Sequence, residues 1–313
     1  AANEGSRRVL AYAIRRILIA IPTLIGITLI TFLLVRVTGD PARFVLGDTA
    51  PPSAIEAFRA EHGLDKPLPV QFVNYLAGVA RGDLGTSLRY QQPVLTLFAE
   101  RLPATIQLGL SAYILALLVG VSVGVYSALR AGSPLDKVIR VSVLFGQAVP
   151  GFYLGLVLII VVAVGLGWLP TGGRGGLSHL VLPTITLASY LVAFSVRFTR
   201  SVMLDVLHHD YIRTARAKGV AEGAVIRRHA LRNALIPLVT VLALQSSVVF
   251  SGAVVTETVF SWPGIGRFAL QAISTRDFPV IQGTVLILTA FVVLVNLIVD
   301  LAYAYLDPRI RYS

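Results

Sequence analysis

Six stretches of this chain, near residues 17–37, 104–129, 139–166, 180–202, 234–256 and 281–305, run apolar for twenty residues or more, with charges confined near their ends. No other feature narrows the possible folds as much. Wound as a helix, ~20 apolar residues match the hydrocarbon thickness of a bilayer, and inside that layer each segment must satisfy its own backbone N–H and C=O groups. The chain therefore reads as an all-α integral membrane protein with six transmembrane helices. Composition agrees, because only 14% of its 313 residues are charged, against ~25% in soluble chains. The third run is too long for a straight crossing and contains Pro150-Gly151, so a kink is expected there. There is no cysteine, which excludes disulfides and thiol chemistry.

A formal net charge of +11 would suit a nucleic-acid binder, but the placement of the charge says otherwise. With the N-terminus inside, the cytoplasmic pieces 7–16, 130–140, 197–232 and 309–311 hold seventeen Lys and Arg, and the two short outer loops hold three. That asymmetry is the positive-inside signature of a membrane protein, and no nucleic-acid partner is expected. The layout is then a cytoplasmic segment 1–16, a first crossing 17–37, an extracytoplasmic cap 38–101, a core 102–305 enclosing a cytoplasmic loop 203–233, and a cytoplasmic tail 306–313.

The cap reads as short helices. "SAIEAFRAEHG" places Ser53 and Glu56 at capping-box spacing and ends at Gly63, "PLPVQFVNYLAGVARG" opens on proline and ends at Gly82, and Pro93 can open a third helix running to Pro103. Such a cap is too small to bury a core alone, so it is expected to rest on the membrane face of the spans. On the inner side, "DYIRTARAKGVAEGAVIRRHALRNALIP" (210–237) is polar, basic and rich in helix formers, with Gly219 as a break. It reads as helix, glycine turn, helix. A loop that merely holds anionic headgroups could be short and irregular, and a structured one is better explained as a docking surface.

That stretch resembles the cytoplasmic loop of bacterial ABC importer permeases, whose general form is Glu-Ala-Ala, three residues, Gly, nine residues, Ile-x-Leu-Pro. Here Arg213-Thr214-Ala215 stand in the Glu-Ala-Ala place, Gly219 in the Gly place, and His229-Ala230-Leu231-Arg232 in the last. Neither the Glu nor the Pro is present. "TARAKG" followed by "RHALRNALIP" is similar to the dipeptide/oligopeptide/nickel branch, and so are "GLDKPLPVQF", "GDLGTSL", "RLPATIQL", "LPTGG", "TETVFSWPGIGR" and "RDFPVIQG". Together they resemble the B-type subunit of that branch. The resemblance implies the type I importer permease fold in a bacterial inner membrane, a homologous second permease, two ATPase subunits and an extracytoplasmic solute-binding protein. It implies that Arg213, Thr214, Ala215, Arg216, Ala217, Lys218, Gly219, Val220 and Ala221 couple to the ATPases, and that the cargo is a di- or oligopeptide. The small side chains Ala215, Ala217 and Gly219 would allow close approach there. No G-x-x-x-x-G-K-[ST] loop is present, so ATP and Mg belong to partner chains and no cofactor is expected on this one.

Other features carry two readings each. Gln107, Gln147, Gln245 and Asn296 could line a substrate path, or bond between helices. Gly120-xxx-Gly124 and Gly151-xxx-Gly155 could be packing faces or unremarkable membrane glycines. His208, His209 and Asp210 lack the spacing of a zinc site. In 257–280, Phe260 and Trp262 suggest headgroup-level aromatics on an interfacial or re-entrant helix, on which a binding protein could dock. The rival function is a stand-alone secondary transporter or channel, but no carboxylate sits plainly at mid-membrane. A membrane hydrolase ranks lower, since H-E-x-x-H and Cys are both missing.

Overall fold

The structure, a computed structural model, describes residues 2–306 apart from 38 and 48. It is helical throughout the described residues, with one isolated bridge at Thr86 and Pro93. The helices are α1 (Ala2–Val37), α2 (Pro41–Leu46), α3 (Pro52–Glu61), α4 (Leu68–Ala80), α5 (Val94–Leu129), α6 (Pro134–Ala148) and α7 (Gly151–Leu158), the last continuing as a wide π-turn over Ile159–Gly165. Then come α8 (Leu177–Leu207), α9 (Asp210–Ala217) and α10 (Glu222–Ala224), which runs through a second π-turn, Val225–Leu231, into α11 (Arg232–Leu244). The chain closes with α12 (Ser246–Val259), α13 (Ile265–Ser274) and α14 (Phe278–Leu306).

Among the described residues, four helices are long and apolar enough to cross a membrane: Leu18–Val37 within α1, all of α5, all of α8, and Phe278–Leu297 within α14. The expected kink is sharper than a kink. α6 and α7 pass the same test only as a pair, bent by 103° at Val149–Pro150. Proline lacks the N–H that the carbonyl of Gly146 would use, so the ladder fails there. The expected single crossing 234–256 is divided as well. α11 and α12, of 13 and 14 residues, meet at Gln245, at the head of a polar Gln-Ser-Ser step that interrupts the apolar run. Leu118, Phe145, Ile160 and Val164 are all more than 60% exposed, which suits a protein whose outer surface meets lipid or other apolar partners rather than water. The expected tail lies outside the described residues beyond Leu306.

The described residues form two compact units, one of 2–103 and 267–301, the other of 104–266 and 302–306. In the first, α3 is present but the capping box is not. Pro51 is the N-cap and Pro52 the first helical residue, so the helix begins before Ser53 can cap it, and no side chain bonds at that end. Gly63 and Gly82 end α3 and α4 at φ +62° and +80°, as read from the sequence. The third cap helix is not separate: α5 runs unbroken from Val94 through Pro103, so the boundary at 101 falls inside a helix. The cap does rest on α1 and α14. Phe72 of α4 packs on Phe32 of α1 at 5.4 Å between centroids, and Phe44 of α2 on Phe278 of α14 at 5.9 Å. Asp277, just before α14, is 2% exposed. It accepts hydrogen bonds from the Ser87 hydroxyl and from the backbone N–H groups of Leu88 and Arg89, which pins the 82–93 turn.

In the second unit, α8 is the central post. Gly120 and Gly124 of α5 face Ser195 and Thr199 of α8 so closely that a Cβ on either glycine would collide with them. This GxxxG is a true packing face. The other is half of one, since Gly155 is packed between Phe260, Val259 and Thr186 while Gly151 meets nothing within 4 Å.

Candidate functional site

The basic segment is a helix-turn-helix. α9 ends at Ala217, Lys218 caps it, and Gly219 turns at φ +75°. The N–H of Gly219 donates to the carbonyl of Arg216 at 3.0 Å and that of Val220 to the carbonyl of Ala215 at 3.2 Å. This paired closure is available cheaply only to a residue without Cβ. Arg216 reaches across the turn to Glu222 with two bonds of 3.1 and 2.7 Å, and those bonds hold the Glu222 carboxyl below its ordinary range and raise the Arg216 guanidinium. Arg213 pairs with Asp210 at 3.6 Å, both well exposed, a pair of small worth.

α9 has two faces. Ile212 (0% exposed) and Ala215 are buried in a cluster with Met203 and Val206 of α8, Ala128 of α5, and Val225 and Ala230. Arg213, Thr214, Arg216, Ala217, Lys218, Gly219 and Ala221 are exposed, and Val220 is half-buried. Ala215 is thus small for the chain's own core, not for a partner's approach. The small exposed residues are Ala217, Gly219 and Ala221. His208 and His209 turn their Nδ1 atoms to the carbonyls of Leu204 and Asp205 one turn back.

Beside the bend between α6 and α7 lies a cavity of about 330 Å³, lined by Gln147, Val149, Pro150, Ser189, Tyr190 and Thr256 among others. Thr186 also lines it, and its buried hydroxyl has no hydrogen-bond partner. Irregular backbone at membrane depth is tolerated where it lines such a space. Of the four amides read as a substrate path, only Gln147 is on this wall, and its Oε1 accepts from Arg197 at 3.1 Å. Gln107 accepts from Arg174 at 3.2 Å, Gln245 sits half-buried at the α11–α12 break, and Asn296 is exposed on α14. The structure does not gather them into one site.

Two constellations were not legible beforehand. Asp136, 1% exposed, accepts from Ser127, from the N–H of Gly132 and, through both oxygens, from Arg200 at 2.8 and 2.9 Å. Its partners are up to 64 residues away, and no spacing rule links them. Glu257, fully buried, accepts from Thr105 at 2.6 Å, while the Thr105 oxygen accepts the N–H of Ile265 at 2.8 Å. The aromatics beside it pack inside the chain and are not surface anchors. Phe260 and Trp262 are each 1% exposed, and the Trp262 indole donates to the Ala104 carbonyl at 2.8 Å. A buried tryptophan needs such a partner, and nothing in the sequence announced it. α13 does follow as an amphipathic helix, with Phe268 and Ala272 buried and Leu270 and Ile273 exposed.

These features define a multi-pass, all-α membrane protein with a fold shared by transporter chains of known structure. The fold matches a chain of an inward-facing MetNI methionine ABC transporter at a TM-score of 0.56 and 17% identity, over 68% of this chain and 97% of that one. It also matches a chain of an amino acid ABC transporter solved with histidines, at 0.50 and 16%, over 67% and 94%. Residues 120–312 match the family described as binding-protein-dependent transport system inner membrane component, and 9–109 match its N-terminal companion. The chain belongs to that family, and is an inner-membrane permease subunit of the ABC importer class. Its relatives include the dipeptide transport system permease protein DppB of Alkalihalophilus pseudofirmus, 43% identical over 97% of this chain and all of that one. The glutathione transport system permease protein GsiC of Pectobacterium atrosepticum is 44% identical over 97% and 100%, and DppB of Escherichia coli K12 is 41% identical over 97% and 99%.

Proposed function

We propose that this chain forms half of the translocation pathway of an importer for di- or oligopeptides, and that α9 with the Gly219 turn is where separate ATPase subunits take hold. The cargo class rests on full-length likeness to permeases named for dipeptide and for glutathione transport. The observation that carries the coupling role is the two-faced α9: Ile212 and Ala215 seat it on the end of α8, and the opposite face presents Arg213, Lys218 and Gly219 outward. Cations on a small-residue surface suit a groove edged with carboxylates. ATP and Mg bind on the partners, a homologous second permease completes the pathway, and a solute-binding protein delivers cargo from outside. The termini and the 208–231 segment face the cytoplasm, and the 39–93 segment faces out, as the charge asymmetry favours.

Gly219→Val tests this. At φ +75°, with nothing within 4 Å of where its Cβ would stand, valine meets backbone strain rather than a collision at Cβ. The subunit is expected to insert normally and to lose its ATPases on co-purification, or to keep them hydrolysing ATP without import. Arg227→Gln with Arg228→Gln, which alters exposed charge away from the turn, should have a mild effect that follows anionic lipid content. Normal import by the valine variant with ATPases bound would reduce the segment to a basic loop.

A further inference from the structure

Asp136 stands in the first turn of α6, and both its oxygens are fully engaged. Oδ1 takes the Ser127 hydroxyl at 2.6 Å and Arg200 Nε at 2.8 Å, while Oδ2 takes the N–H of Gly132 at 3.0 Å and Arg200 Nη2 at 2.9 Å. Its own N–H donates to Ser133 at 3.2 Å, and Arg140 lies 3.6 Å from Oδ2. One carboxylate thus joins the end of α5, the following turn, the start of α6 and the C-terminal third of α8. A buried ion pair is an inefficient way to gain stability, because an apolar replacement usually serves as well. Its mechanical effect is more specific: a two-bond guanidinium–carboxylate pair fixes orientation as well as distance.

Two further observations place this joint in a chain of contacts. Along α8, Arg200 is three residues from Met203 and six from Val206, which hold Ile212 and Ala215 of α9 in one buried cluster. Along α6 in the other direction, the helix stays on α8 as far as Gly146, where a Cβ would lie 3.1 Å from that of Ala193. The 103° bend and the cavity wall at Val149 and Pro150 follow at once. We infer that Asp136 and Arg200 are positioning residues of coupling: they make α6 and the adjoining part of α8 one lever, so that a displacement applied at α9 is taken up at Val149–Pro150 and reshapes the cavity beside the bend. This rests on the reading of α9 as the ATPase-docking element.

The test uses the whole importer in proteoliposomes, with its second permease, ATPases and binding protein. Arg200→Lys keeps the charge but not the paired bonds, and Asp136→Asn keeps the shape but not the charge. Both are expected to retain bound ATPases and cargo-stimulated hydrolysis, while cargo imported per ATP falls by about tenfold, within the usual range of coupling energies. Unchanged cargo per ATP, or hydrolysis and import falling together, would leave Asp136 a purely structural clamp and overturn the inference. If neither variant assembles, spin labels at exposed positions Lys137→Cys and Ser201→Cys decide the matter with the latch intact. Their separation should hold within the ~1–2 Å of ordinary helix shifts between nucleotide-free and ATP-trapped states, and a larger change refutes a rigid lever. A Lys218→Cys subunit separates the two ideas. Where it cross-links to the ATPases, the latch result bears on this inference alone. Where it does not, the docking reading fails and the lever fails with it.

Discussion

Glu257 and the glycines that cradle it show how much a single missing methyl group decides. The carboxylate is fully buried, and a Cβ on Gly264 would fall on it, while one on Gly266 would strike the Cα of Val254 as well. "WPGIG" is therefore glycine-bearing because a backbone must pass beside a buried side chain. Gly264→Ala should cost about 1–3 kcal/mol through overpacking, read as a lower thermal midpoint of the detergent-purified complex. Gly151→Ala is the matched control, since its Cβ would meet nothing within 4 Å, and it should leave the midpoint in place. Equal effects would mean that the cradle relaxes freely.

Among the elements, α5 and α8 approach through Gly120 and Gly124 against Ser195 and Thr199, a contact too close for any larger side chain on α5. Gly120→Leu should force the two helices apart, destabilising the subunit by a few kcal/mol and lowering the yield of assembled importer. Gly155→Leu, at the packed member of the second GxxxG, should be destabilising for the same reason, since a Cβ there already lies 3.1 Å from Phe260 and Val259. In the other unit, Asp277 accepts two backbone N–H groups of the 82–93 turn, those of Leu88 and Arg89. Asp277→Ala strands them and the Ser87 hydroxyl at ~1–3 kcal/mol each where burial is complete. The turn should then become the preferred site of limited proteolysis, and unchanged cleavage would show that the loop is held by other means.

For the whole molecule, the prediction concerns sidedness. Single cysteines at 60, 135, 174, 216 and 270 all fall on exposed positions of this cysteine-free chain, so reactivity will report location rather than burial. An impermeant thiol reagent added outside should label 60, 174 and 270 and spare 135 and 216. The opposite pattern would invert the molecule, and would place α9 where no cytoplasmic ATPase could reach it.

At that same scale, local and cumulative properties were settled by the sequence alone. Apolar runs declared the membrane, Pro150 an interruption of the third run (expected as a kink), and Gly63, Gly82 and Gly219 the ends of their helices, because length, a missing N–H and a missing Cβ act within a few residues of themselves. Only the tertiary structure decided which face of a helix is inside. It turned Ala215 into core and left Ala217 outside, buried Phe260 and Trp262 that composition alone placed at a headgroup boundary, and set Gln147 on a cavity wall without Gln107, Gln245 or Asn296. It also joined Asp136 to Arg200 and Glu257 to Thr105, across 64 and 152 residues. The physical reason is common to all of these. In an apolar chain nearly every helix surface is greasy, so hydropathy cannot tell lipid from core, and a buried polar group is explained only by the partner that packing brings to it.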